Sequence, residues 1–169
     1  GDVDLLPLWV GDMEIQSPAA VREALTERVE HGVFGYGKVE DSYYDAFFAW
    51  QKKHHGIDLV KENVRFATGV VGSLYAAIRA YTKENASIII CPPVYYPFYD
   101  AILNTGRKLV TCDLDNNKGH YSLNLDKFEK EISDNNAEMF ILCSPHNPVC
   151  RVWSEEELNA MLDICHRHG

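Results

Sequence analysis

The 169-residue sequence is short of basic side chains, with sixteen Lys and Arg against 25 Asp and Glu and a formal charge of −9. That balance argues against a broad basic face for nucleic acid and against docking on an anionic membrane surface. Long apolar runs are also missing, because a stretch such as Ile88 to Cys91 is far below the roughly 18 residues a transmembrane helix needs. The opening GDVDLLPLWVGDME has acids where a secretory signal has a basic region, and it lacks the apolar core. The expected location is cytoplasmic. Cysteines are few and odd in number: Cys91, Cys112, Cys143, Cys150 and Cys165 include no C-x-x-C pair. Buried free thiols are expected rather than a disulfide framework. The cluster Cys143, His146 and Cys150 matches no zinc spacing. Repeats and low-complexity tracts are absent as well. What remains, 46% hydrophobic and 24% charged, is the balance of one ordinary folded domain.

The pattern SPAAVREALTERVEHG predicts a helix with Ser17 as cap, Pro18 at its first position, an apolar stripe of Val21, Ala24, Leu25 and Val29, and Gly32 as its stop. After the loop VFGYGKVEDS, a second helix is expected from about Asp41 to Gly56, with Tyr44, Phe47 and Phe48 on one face. The chain then alternates. β-prone runs at Val64 to Ala67, Ser87 to Cys91, Lys108 to Cys112 and Met139 to Cys143 are interleaved with helical stretches near Ser73 to Thr82, Pro97 to Asn104 and Asp126 to Ile132. This order predicts an α/β fold, a mainly parallel sheet with helices on both faces. The segment Asp113 to Ser122 is turn-rich. A last helix opens with the capping box Ser154 to Glu157 and carries Leu158, Met161, Leu162 and Cys165 on one face. The pairs His54, His55 and His166, His168 are expected near helix ends, beside the last carbonyls. Because an alternating chain should continue with a strand after a helix that stops at Gly169, the sequence is expected to be truncated.

Three segments are candidates for chemistry. RFATGVVGSLYAAI, Arg65 to Ile78, reads as a strand, a glycine turn and an apolar helix, a geometry that aims free backbone N–H groups at an anion. A tight turn in which Gly69 and Gly72 only permit bending is the alternative. CPPVYYPFY, Cys91 to Tyr99, lies at the carboxyl end of an expected central strand, where open α/β sheets bind ligands. There Tyr95 or Tyr96 either stacks on a flat heteroaromatic ligand or packs under the next helix. LCSPHNPVCRVW, Leu142 to Trp153, follows another buried strand and sets Asn147 before Pro148, which favours extended backbone. Pro and Asn also serve a plain turn.

In order and spacing, WVGDME (Trp9 to Glu14), HGVFGYG (His31 to Gly37), PPVYYPFY (Pro92 to Tyr99) and SPHNPVCRVW (Ser144 to Trp153) resemble the fold-type I, pyridoxal-phosphate-dependent aminotransferase superfamily. Within it, they resemble the cystathionine β-lyase-like C–S lyase branch. The resemblance spans essentially the whole chain. It implies a three-layer large domain, cut short, over residues 61–169, preceded over residues 1–60 by a helical segment and a dimer-contacting loop. It also implies pyridoxal 5′-phosphate as cofactor, with its phosphate on the backbone of Gly69, Val70 and Val71. Tyr95 would stack on the ring, Asn147 would bond the phenolic oxygen, and Tyr36 would reach the neighbouring subunit's phosphate. Asp12 would lie near the substrate pocket.

The implied activity is that of a homodimeric lyase that cleaves cystathionine or S-substituted cysteines to thiol, pyruvate and ammonia. An aminotransferase would share every motif, and a nonenzymatic fragment that binds a pyridoxal compound or a partner subunit is a third reading. A nucleotide-binding Rossmann module is disfavoured by the single G-x-x-G. In this family Cys150 stands where glycine is usual, which adds strain if φ is positive there. The family's Schiff-base lysine, ring-nitrogen aspartate and carboxylate-binding arginine all match positions beyond Gly169. None of the nine lysines present, from Lys38 to Lys130, falls in a motif that replaces the first, so the 169-residue chain is expected to be inactive.

Overall fold

The computed structural model describes residues 10–169; Trp9 of the WVGDME motif lies outside them. Two compact units divide at Val64 and Arg65.

In the first unit, α1 (Ala19–His31) ends on Gly32 in the left-handed conformation, φ 71°, which glycine adopts at no steric cost. Its start corrects the sequence expectation. Pro18, not Ser17, occupies the cap position, and its carbonyl accepts from the N–H groups of Val21 and Arg22. The stripe of Val21, Leu25 and Val29 is exposed. The second helix, α2 (Asp41–His55), ends on Gly56, also left-handed. Tyr44, Phe47 and Phe48 form its half-buried face, with ring centroids 6.0 Å apart for Tyr44 and Phe48 and 6.1 Å for Phe47 and Phe48. His54 stacks on Trp50 at 3.9 Å.

The second unit is an α/β layer structure. Its elements are α3 (Val70–Tyr81), β1 (Ser87–Ile90), α4 (Pro97–Leu103), β2 (Lys108–Thr111), β3 (Asp115–Asn117), β4 (His120–Ser122), α5 (Leu125–Asn135), β5 (Ala137–Phe140) and α6 (Glu155–His168). β1 is central, parallel to β2 on one side and to β5 on the other, with Ile89 opposite Val110 and Phe140. Since strand residues alternate faces, its unbroken Ser-Ile-Ile-Ile-Cys run feeds two cores. Ile88 and Ile90 join Ile78, Phe98 and Ile102 beneath α3 and α4. Ile89 and Cys91 join Phe128, Ile132, Met161 and Ile164 beneath α5 and α6. Three layers result, as expected for a parallel sheet covered on both faces.

Five expectations need correction. Residues 64–67 form no strand; Val64 is extended, φ −110° and ψ 132°, but the three-stranded sheet is built from other segments. The last parallel strand lies at Ala137–Phe140, because the register to β1 begins at Ala137 and Leu142 onward is already loop. The turn-rich stretch is an antiparallel hairpin, β3 on β4. Lys118 and Gly119 sit at its tip with φ 50° and 91°, the primed two-residue turn that matches strand twist. On α6, Leu162 is exposed and Ile164 takes its place in the core with Met161. The capping box is present in full, Ser154 Oγ accepting from Glu157 N–H and Glu157 Oε2 from Ser154 N–H. His168 meets the Glu129 carboxylate of α5 at 3.0 Å instead of a helix carbonyl.

Candidate functional site

Parallel neighbours end at the same edge of a sheet, so the loops after β1 and β5 emerge side by side. The first carries Tyr95 and the second Asn147. Helix α3 returns along the sheet into β1 through the short turn 82–86, so its first turn, at Gly69 to Val71, points toward that same edge. This is where open α/β sheets bind ligands.

At α3, no side chain caps the N-terminus, and the first N–H groups of a helix have no partner within it. Gly69 has φ 163°, an extended backbone open to any residue, and no atom lies within 4 Å of where its Cβ would stand. Gly72 is equally relaxed, its nearest neighbour Thr68 Oγ1 being 3.9 Å away. Neither glycine is needed for a bend. What the sequence achieves here is a bare helix end, a donor set that suits an anion such as a phosphate.

After β1, the chain passes through Pro92 and Pro93, with a cis bond between them, into α4, whose first residue is Pro97. Tyr95 is half-buried and meets Phe98 edge-on at 6.1 Å, while Tyr96 is exposed. Tyr95 is thus only partly covered beside the helix, while Tyr96 faces outward.

After β5, Ser144–Pro145 and Asn147–Pro148 are both cis. Asn147 is exposed, and its backbone N–H donates to Cys143 Sγ at 3.4 Å. The loop around it is tightly braced. His146 is 2% exposed; its N–H donates to Arg151 O at 2.7 Å, and its carbonyl accepts from Cys150 N–H at 2.8 Å. Trp153 is buried and donates Nε1–H to Cys143 O at 3.0 Å. Arg151 lays its guanidinium over the Trp153 ring at 4.0 Å, donates to Tyr121 O at 2.5 Å and pairs with Glu157 of the capping box. Burial pushes the pKa of His146 below the usual imidazole range, against the opposing pull of the Pro93 and Cys91 carbonyls.

Sequence reading noted His146 only as part of a cluster and passed over Arg151 and Trp153. The available signal was the run H-x-x-x-x-R-x-W, whose large polar and aromatic side chains come soon after the apolar, strand-forming run at Met139 to Cys143.

The five cysteines are free. Burial raises the thiol pKa of Cys91 well above the usual range and that of Cys112 to about 11, so both are inert. Cys150 departs from the expectation of burial: it is exposed and left-handed, φ 54°. Among the described residues, no three His, Cys, Asp or Glu side chains are grouped to hold a metal ion, and no helix is long and apolar enough to cross a membrane. Tyr36 is fully exposed in the loop between α1 and α2, and Asp12 is exposed as well.

A three-layer α/β unit with a bare helix end and two loops at one sheet edge defines a domain of the doubly wound α/β class. The chain belongs to the aminotransferase class I and II family, whose model matches residues 3–169. It is 38% identical along its whole length to the cystathionine beta-lyase PatB of Bacillus subtilis (strain 168) and covers 44% of that protein. Among solved structures, cystalysin of Treponema denticola, which contains pyridoxal 5′-phosphate, is similar at TM-score 0.88 and 37% identity, over 96% of this chain and 41% of cystalysin. The pyridoxal-phosphate-bound C–S lyase of Staphylococcus hominis is similar at TM-score 0.88 and 33% identity, over 95% and 41%. The chain thus spans less than half the length of the relatives it matches.

Proposed function

We propose that this chain is the first part of a pyridoxal-phosphate-dependent C–S β-lyase, acting on cystathionine or S-substituted cysteines to release thiol, pyruvate and ammonia. One observation carries the reading: the Tyr95 and Asn147 loops are joined at the carboxyl edge of the sheet, in a chain 38% identical to a cystathionine β-lyase. The donor set suits the cofactor. The backbone N–H groups of Gly69, Val70 and Val71 would hold its phosphate, with the helix dipole favouring the charge. Tyr95 would cover one face of the ring. Asn147 would donate its side-chain N–H to the phenolic oxygen and favour that oxygen's ionised form. When bound, the cofactor supplies the electron sink that makes the substrate α-proton acidic and lets the thiolate leave. Tyr36 would reach the phosphate of a second subunit in a homodimer. Five free thiols support a cytoplasmic setting.

All nine lysines are exposed, and Lys52, Lys61 and Lys130 are held in ion pairs with Asp58, Asp41 and Asp134. The 169-residue chain alone is therefore expected to lack lyase activity, and covalent cofactor attachment and proton transfer would fall to other parts of the whole protein. A second reading, amino-group transfer, is favoured by the family description itself.

The deciding assay supplies the whole protein with cystathionine and no 2-oxo acid. Thiol and pyruvate should appear in equal amounts. Product that forms only when a 2-oxo acid accepts the amino group would refute the lyase reading in favour of transfer.

A further inference from the structure

We infer that His146 is a positioning residue: from its buried ring, Nε2–H donates to the Pro93 carbonyl and locks the loop carrying Asn147 onto the loop carrying Tyr95. The inference rests on the functional reading above, because only there do the two loops serve one ligand.

The bond is 3.0 Å long and joins residues 53 apart in sequence. Each end is anchored in its own loop. On one side, His146 is fixed by backbone bonds to Arg151 and Cys150, and its ring lies edge-on to Trp153 at 5.6 Å. On the other, Pro93 follows Pro92, whose carbonyl accepts from Leu114 N–H at 2.6 Å. The loop after β1 is thereby held from both flanks, by the chain leaving β2 and by the chain leaving β5. At the end of the β1–β5 pairing, Ile141 N–H donates to Ile89 O at 3.1 Å; past that point both chains run as loops, and the imidazole bonds one to the other.

A neutral ring suits this task. Donation from Nε2 to a carbonyl places the neutral ring's lone pair on Nδ1, which fixes the tautomer, and burial disfavours the charged form. Ring stacking and a bond to the phenolic oxygen act on different parts of one rigid planar ligand. Their separation must then be held to within a few tenths of an ångström, which two independently moving loops do not achieve.

The test uses the whole protein with three substitutions. His146→Leu removes the donor, His146→Gln carries an N–H to about the position of Nε2, and His146→Asn carries one to about the position of Nδ1, too short to reach Pro93. Three quantities are measured: the pyridoxal phosphate dissociation constant, the pH midpoint of the bound cofactor's visible absorption, and amide hydrogen exchange over 92–99 and 143–150 without cofactor.

Leu and Asn should weaken retention about tenfold, move the absorption midpoint and speed exchange in both loops, while Gln stays within about threefold of the parent. If the Leu protein does not fold, Asn against Gln gives the same comparison. An unchanged midpoint and dissociation constant in Leu and Asn, or a Gln variant as impaired as Leu, would overturn the inference by showing that the ring only fills space. A parent protein that binds no pyridoxal phosphate would refute the functional reading instead. The exchange measurement then decides the coupling by itself: acceleration of both loops supports it, and acceleration confined to 143–150 overturns it.

Discussion

Replacing Cys150 by glycine should stabilise the protein, and the structure sets how much. Cys150 has φ 54°, where a Cβ crowds the backbone at a cost of about 1–2 kcal/mol. Glycine removes that cost but gives the unfolded chain extra freedom worth about 0.4–1 kcal/mol. Little else is lost, because the side chain is exposed and its contact is a weak thiol bond to Pro148 O at 3.3 Å. The net expectation is a gain of about 0.5–1 kcal/mol. Cys150→Ala is the control. It keeps the Cβ and loses only the sulfur, so its effect should stay within about 0.5 kcal/mol of zero. Urea denaturation reads both as shifts in midpoint at constant slope. If glycine destabilises, or if alanine gains as much as glycine, backbone strain is not what distinguishes this position.

Tyr95→Ala should weaken pyridoxal phosphate retention by about 1 kcal/mol or slightly more through loss of stacking. Asn147→Ala should instead shift the pH at which the bound cofactor changes colour, since it loses a bond to an ionised oxygen; a spectrophotometric titration of each variant separates the two, and an unchanged readout removes that residue from the site. Because burial depresses the pKa of His146, below the ordinary value of about 6.5 the unfolded chain takes up a proton that the folded ring refuses. That stability is complete above pH about 6.5 and is lost as pH falls toward the depressed value; a melting series should show the decline in the parent and a flatter profile in His146→Gln. Phe128, fully buried and edge-on to Phe140 at 4.9 Å, should cost about 3–5 kcal/mol when cut to alanine, read by denaturant melts.

Where side-chain period and burial coincide, the sequence was legible. Ile88 to Ile90 announced a strand buried on both faces, and the S-x-x-E box at Ser154 announced a helix start that the structure reproduces. The Val64 to Ala67 run misled because β-propensity reports only that extended backbone is comfortable. A strand also needs an edge to join, and the three strands of this sheet come from elsewhere in the chain. The hairpin at 115–122 was hidden by its polar composition, as its strands are three residues long and Lys118-Gly119 lacks the usual Asn-Gly signature. Helix α6 was placed correctly but rotated by the choice of Leu162 over Ile164, since both fit an apolar stripe and only the position of the sheet decides between them. At the candidate site, residue type pointed to the pair Tyr95 and Tyr96 and to Asn147, and the family resemblance chose Tyr95 of the pair. Their bracing could not, because His146 meets Pro93 across 53 residues and no local pattern encodes that meeting.

The bracing follows from the fold. A central strand that feeds apolar cores on both faces has no side of its own on which to present polar chemistry, so reactive groups must stand in the loops beyond its end. Loops lack the ladder bonds that hold strands in place, and a polar group placed there is only as well positioned as its loop. In this chain the loop after β5 is held by buried or half-buried polar side chains: His146 bonds to Pro93 and Arg151 to Tyr121 and Glu157 on other segments, and Trp153 bonds across the loop itself to Cys143. Apolar packing alone would have left the backbone carbonyls of Pro93, Cys143 and Tyr121 without these donors, at a cost of about 1–3 kcal/mol for each one kept from water. Directional bonds satisfy those carbonyls and fix the register of the loop at the same time. A histidine, an arginine and a tryptophan in the stretch from His146 to Trp153 beyond one strand end are thus explained by the need to hold a polar loop still at the edge of an apolar sheet.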